Sequence, residues 1–167
     1  MAAQQSDGPA DPVFGITLPP GYRDWTLITV GTVGSPVSDI RAKLANPLAT
    51  TAFRQGTIPY PDGSIIVRLA WRQTMSAENN AALLHEAFLQ NVSPAAIEEF
   101  LNGTIAAGTP TNVQVMVKDA KRYASTGGWG YAQFTNGQPA GAAVGTSCFP
   151  CHVLAKSTDY VFSRYSP

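Results

Sequence analysis

Three of the chain's four cysteine and histidine side chains fall within five consecutive residues, Cys148-Phe149-Pro150-Cys151-His152. C-x-x-C-H is the attachment signature of c-type haem. The chemistry explains the spacing: two thiols add across the two haem vinyl groups as thioethers, and the adjacent histidine reaches the iron as proximal ligand. Two rivals fit less well. A thioredoxin-like Cys pair belongs near the start of a helix inside a βαβ unit, and no such pattern surrounds this one. A structural zinc site wants four ligands, usually from two spaced pairs. Here Cys148, Cys151 and His152 supply three, and His85 lies far upstream in a helical pattern.

The motif also limits the fold, because it comes late. Of 167 residues only 15 follow His152, and none is Met. Small helical electron carriers place the motif near the N-terminus with a Met ligand downstream. A four-helix cytochrome with a late motif needs four long amphipathic helices, and this chain shows strands instead.

Composition removes further classes. Lys plus Arg is 11 and Asp plus Glu is 11, and charged residues make up 13%, about half the ~25% of an ordinary globular chain. A chain without basic excess lacks the footprint for nucleic acid. At 44% hydrophobic it is too apolar for a disordered tail, yet no run approaches the ~18 apolar residues of a membrane span. Gly and Pro, 15 and 13 in number, favour a turn-rich fold. Met1-Ala2-Ala3-Gln4-Gln5 has neither the basic nor the apolar region of a signal peptide and reads as a mature N-terminus. With a c-type haem, that implies a periplasmic protein.

Along the chain, residues 1–18 read as a flexible N-terminal segment and 19–167 as one domain. Trp25 to Val30, Ser64 to Trp71, Val113 to Lys118 and Trp129 to Phe134 read as strands. Asp62-Gly63, just before Ser64, suits a hairpin. Short helices are expected over Ser38 to Leu48 and Thr50 to Gln55, the latter stopped by Gly56. Ala77 to Leu89 carries strong helix formers. Ser93-Pro94 reads as a helix cap with Pro at the first position, opening a helix that ends at Asn102-Gly103. Gly108 to Thr111 reads as a loop, and Asn136 to Thr146 as small, uncharged and flexible. The sum is an α+β domain: one antiparallel sheet, a few helices and a C-terminal covalent haem.

Blocks spread over the chain resemble the cytochrome P-460 family with its β-type cytochrome c-prime relatives. They are Tyr22-Arg23-Asp24-Trp25, Tyr60-Pro61-Asp62-Gly63-Ser64-Ile65-Ile66-Val67, Val117-Lys118-Asp119-Ala120-Lys121-Arg122-Tyr123, Gly128-Trp129-Gly130-Tyr131, the haem motif, and Asp159-Tyr160-Val161-Phe162-Ser163-Arg164-Tyr165. They cover about residues 20–71 and 113–165. Residues 72–112 match less well and look like a partly helical insertion. The resemblance implies a β-rich, often dimeric protein with one haem c per chain. His152 would be its proximal ligand, and the other face of the iron would be open to nitric oxide, hydroxylamine or peroxide. A redox partner protein is implied as well.

In the P-460 cytochromes a lysine on the strand after the Asp-Gly turn is bonded to the haem edge. Residue-by-residue matching puts Arg68 there. Arg stays protonated and is a poor nucleophile, so no crosslink is expected. The guanidinium could instead donate to a small ligand. Hydroxylamine-oxidising members also draw a carboxylate from the segment before the motif, but Gly127 to Ser147 holds no Asp or Glu. That counts against the oxidase alternative unless an acid such as Glu86 substitutes. A six-coordinate electron carrier needs Met116, Met75 or His85 near the iron. Phe53, Tyr60 and Phe134 are candidate aromatic caps, and Lys118, Lys121 and Arg122 candidate partners for a haem propionate.

Overall fold

The computed structural model describes residues 8–89 and 91–166. Six strands form one antiparallel sheet in chain order: β1 (Thr26–Val33), β2 (Asp39–Ala45), β3 (Ile65–Thr74), β4 (Ala106–Lys118), β5 (Trp129–Thr135) and β6 (Gln138–Pro139). Each strand pairs with its sequence neighbour, so the sheet closes by local connections. Four helices complete the α+β fold: α1 (Pro47–Gln55), α2 (Ala77–Leu89), α3 (Pro94–Gly103) and α4 (Ala142–His152).

The two faces of the sheet follow from period-two alternation. One face carries Leu44, Val67, Leu69, Val115, Ala132 and Phe134, all buried, and it is covered by Ile16, Leu18, Tyr22, Trp25 and Tyr123. The opposite face begins apolar, with Ala45, Ile66, Trp129 and Tyr131 packed under α1 and the C-terminal tail. Farther along, the same face turns polar and cationic, with Arg41 and Lys43 on β2, Arg68 on β3 and Gln114 on β4. The register aligns Lys43 with Arg68 and Arg68 with Gln114.

Several expectations are corrected. Ser38 to Leu48 is no helix: residues 39–45 are strand β2. There Asp39, Arg41 and Lys43 alternate with Ile40, Ala42 and Leu44, so one face is apolar and the other charged. The helix begins only at Pro47, capped by Asn46, whose Oδ1 accepts from the amides of Ala49 and Ile65. Asp62-Gly63 joins no hairpin: β2 and β3 are linked through α1, and this turn is tied to the end of β4. Gly63 donates to the Lys118 carbonyl at 2.8 Å, and Asp62 accepts from the Ala120 amide at 2.7 Å.

Residues 108–111 lie inside β4 rather than in a loop. Strands β3 and β4 run past each other through irregular register there, and a Cβ on Gly108 would come within 3.0 Å of Thr74. Glycine marks such a close backbone approach. Asn136 and Gly137, both at positive φ, turn β5 into β6, and α4 has begun by Ala142. Of the segment expected to be loose, Met1–Asp7 lies outside the described residues. From Asp11 onward it is packed: Ile16 is in the core, and buried Asp11 accepts from the amides of Val13 and Phe14. The helical pair α2 and α3 connects β3 to β4, and Ser93 caps α3 by accepting from the Ala96 amide.

The tail is locked by a buried ion pair. Lys118 Nζ lies 2.7 and 2.9 Å from the two Asp159 carboxylate oxygens, and both side chains are less than a tenth exposed. Asp159 also accepts from the Tyr60 amide at 2.8 Å, and Lys118 donates to the Gly127 carbonyl. Removing one partner of a buried pair leaves an uncompensated charge and costs about 3–5 kcal/mol. Lys118→Met is therefore expected to lower the unfolding free energy by about that amount in guanidinium titrations. Lys118→Met/Asp159→Asn should recover part of the loss.

Burial, with the Asp159 charge second, pushes the Tyr60 phenol up to about 12. The folded state then resists ionisation more than the unfolded chain does. Its contribution is intact below the unfolded value near 10 and is lost as pH rises towards about 12. Tyr60→Phe should flatten the fall of stability over that range in denaturation curves recorded at stepped pH.

Candidate haem site

His152 ends α4, where the chain turns into a short 3-10 stretch, residues 153–158, and then the tail. Its Nδ1 lies 2.7 Å from the Tyr160 carbonyl oxygen. A carbonyl only accepts, so Nδ1 carries the proton and Nε2 keeps its lone pair. The imidazole is also held between two rings, Tyr131 at 4.9 Å and Phe162 at 5.2 Å between centroids. Burial lowers its pKa, the bond to Tyr160 opposes that shift, and Arg68 adds to it. The balance favours neutral imidazole, the form that ligates a metal.

The Tyr160 carbonyl is itself positioned. Asp159 and Tyr160 both adopt positive φ, 51° and 65°, and the Lys118 ion pair anchors the first of them. Gly127, also left-handed, lies against the Tyr160 ring so closely that a Cβ there would overlap it.

His152 lines a cavity of about 290 Å³ together with Arg41, Lys43, Ile66, Arg68, Gln114, Met116, Val161, Phe162 and Ser163. One wall is the polar stretch of the sheet face, and another comes from α4 and the tail. Arg68 donates to Asn112 Oδ1 at 2.6 Å, while its buried Nε has no hydrogen-bond partner among the described residues. Burial, with Arg41 adding, lowers the Arg68 pKa to about 10, which still leaves it charged at neutral pH. Lys43 is lowered by burial and by Arg41 and Arg68. A larger hollow of about 580 Å³ lies elsewhere, bordered by Val13, Phe14, Arg122 and Tyr123, and of the motif only Phe149 and Pro150 reach it.

The chain fits the prosthetic group its motif implies. Cys148 and Cys151 are both free thiols one helical turn apart, the first half-buried and the second exposed. The imidazole has an available Nε2, and the cavity offers apolar Ile66, Met116, Val161 and Phe162 beside cations. The rival readings fare worse. Among the described residues no cluster of three or more His, Cys, Asp or Glu side chains could hold a metal ion. The Cys pair ends a helix instead of opening one, and the sheet has no parallel strands.

Arg68 thus shares the cavity with His152, as does Met116. His85 is exposed on α2, Met75 is 58% exposed, and neither lines the cavity. Phe53, on α1 itself, and Tyr60 belong to the core between α1 and the sheet, and Phe134 lies on the opposite face of the sheet. Lys118 is committed to Asp159. Arg122 donates to the Phe14 carbonyl by the other hollow, Lys121 is exposed, and Glu86 sits exposed on α2.

Sequence reasoning missed Arg41, Lys43 and Gln114, along with Tyr131, Tyr160 and Phe162 around the imidazole. The alternation Asp39-Ile40-Arg41-Ala42-Lys43-Leu44 was a signal for the first two. Nothing local marked the others.

An antiparallel sheet with a helix-end histidine, its tautomer set by a backbone carbonyl beside a mixed apolar and cationic cavity, defines a haem-binding α+β protein. The family model described as Cytochrome P460 matches residues 19–163, and the chain belongs to that family. It is accordingly a haem cytochrome. No curated protein matches the chain. No helix among the described residues is long and apolar enough to cross a membrane.

Gly127→Ala should cost about 1–3 kcal/mol, the range for strained backbone. It should also shift the visible spectrum of the holoprotein, because Tyr160 and its carbonyl must move. Gly137→Ala is the control: its φ is 77° but nothing lies within 4 Å of the added Cβ. It should lose stability without a spectral change.

Proposed function

We propose that the protein is a periplasmic monohaem c-type cytochrome whose open iron position takes a small nitrogen or oxygen ligand. Cys148 and Cys151 would carry the two thioether bonds and His152 the proximal bond. When bound, the haem supplies the iron centre that takes up nitric oxide, hydroxylamine or peroxide; the rest of the work belongs to the chain. The observation that carries this reading is the pairing of an oriented His152 with Arg68 across one cavity.

The residues divide the task. The Tyr160 carbonyl holds the imidazole in one tautomer, which raises its basicity as a ligand. Arg68, charged and half-buried, offers donors in a rigid fork, and Asn112 fixes its orientation. Its Nε–H is buried without a partner among the described residues, so the guanidinium keeps donor capacity that Asn112 does not use. Gln114, bonded to Gln133 at 2.7 Å, stands beside Arg68. Among the described residues no carboxylate lines the cavity, so none of them offers a carboxylate proton acceptor there for hydroxylamine oxidation. That favours ligand binding over turnover.

Met116 supports one second reading, a six-coordinate electron carrier, because its thioether shares the cavity with His152. A homodimer and a redox partner protein belong to the proposal on the strength of the family resemblance.

Absorption spectra of the ferric and ferrous holoprotein, with and without nitric oxide and hydroxylamine, test it. A high-spin five-coordinate haem that binds nitric oxide is expected, with no sustained hydroxylamine turnover using an acceptor dye. A low-spin spectrum lost in Met116→Leu would establish the carrier reading instead. Arg68→Ala should weaken ligand binding or peroxide reactivity about 10- to 100-fold, the value of a hydrogen bond from a charged donor. The reduced pyridine adduct should be that of an unmodified haem c with two thioethers. A modified macrocycle would overturn that expectation, with Lys43 as the amine present in the cavity.

A further inference from the structure

We infer that Lys43, with Arg68, makes the cavity facing His152 select anionic ligands over neutral ones. The inference rests on the open-iron reading above and adds to it the charge class of the ligand.

The argument starts from strand pairing. Lys43 on β2 and Arg68 on β3 are directly opposed, and both line the cavity. Like charges directly opposed across an antiparallel pair destabilise it, so such a pair persists where something else gains from it. Asp39 lends Arg68 some Coulomb support, but among the described residues no carboxylate is hydrogen-bonded or ion-paired to either cation. Arg41 has Asp39 as partner at 3.2 Å, which accounts for the one acid near this wall. Lys43 makes no hydrogen bond or ion pair among the described residues, and Arg68 bonds only the neutral amide of Asn112. The other lining groups are Gln114, Ser163, His152 and apolar side chains. Burial of both cations is the physical cost of the arrangement, consistent with the lowered Lys43 pKa.

A small anion entering this cavity meets two charges in a setting drier than water, where Coulomb attraction is stronger. A neutral ligand of similar size gains none of this. The two cations differ in role. Arg68 presents directional donors, whereas Lys43 is a flexible point charge. Lys43 therefore governs charge preference more than geometry. The anions that fit are small, such as azide, fluoride or nitrite.

Titration of the ferric holoprotein with azide, fluoride and nitrite, and separately with neutral imidazole, tests this. Lys43→Met should weaken all three anions about tenfold or more while imidazole affinity changes less than twofold. Lys43→Arg should restore anion binding. Wild-type anion affinity should fall with added salt more steeply than that of Lys43→Met.

If Lys43→Met changes anions and imidazole alike, or changes neither, charge selection is overturned while the open-iron reading stands. If the variant lowers haem retention or shifts the reduction potential with anion affinity unchanged, the cations serve the haem carboxyl groups, and the inference is likewise overturned. If the wild type binds neither class of ligand and its spectrum is six-coordinate, the open-iron reading fails, and the inference with it.

Discussion

The buried pair of Lys118 and Asp159 is the contact on which the site's geometry depends. It joins the end of β4 to the start of the C-terminal tail. Asp159 holds a left-handed conformation there and receives the Tyr60 amide as well as the ammonium group. The next residue, also left-handed, presents its carbonyl to His152. Electrostatics at one end of the sheet thus set the tautomer and direction of the imidazole. A buried charge pair is weak evidence for net stability, since desolvation offsets much of the attraction. Its clearer consequence is positional: an ammonium group with three donors and a carboxylate with two acceptor oxygens accept few arrangements.

The second organising fact is the asymmetry of the sheet. One face is apolar over its length and closed by the N-terminal segment. The other changes character midway, from the core beneath α1 to a wall of Lys43, Arg68 and Gln114. A sheet face that turns cationic halfway along cannot be packed over by an ordinary apolar layer without burying charge. The cavity lies at that boundary, and the imidazole of His152 reaches it from the side of α4 and the tail. The same strands therefore supply the core that holds the fold and the polar wall that shapes the site.

Much of this was legible in the residues. Strands rich in Val, Ile and aromatics were recognisable, as were the Gly56 stop, the Ser93-Pro94 cap and the motif at Cys148–His152. Errors clustered where local signals competed. In 39–45, charged residues and alanines suggested a helix, but their alternation won because one strand face could be buried. In 108–111, Gly and Pro suggested a loop, yet the strand continues through irregular pairing with β3. Lys118 read as a candidate partner for a haem propionate, but Asp159, distant in sequence, takes it and makes its burial tolerable.

The sequence alone carried the motif on which the proposed haem attachment rests, since a C-x-x-C-H run is contiguous and needs no fold to be read. It also determined that the chain is a strand-rich α+β domain, because period-two alternation is a property of neighbouring residues. Tertiary structure alone decided that Lys43 and Gln114 join Arg68 in lining the cavity that His152 borders. Arg68, Lys43 and Gln114 come from three strands and meet through register, which hydrogen bonding between strands sets and local composition does not. The carbonyl that orients His152 carries no side-chain signature at all. It is placed by a turn and an ion pair whose partners stand 41 residues apart.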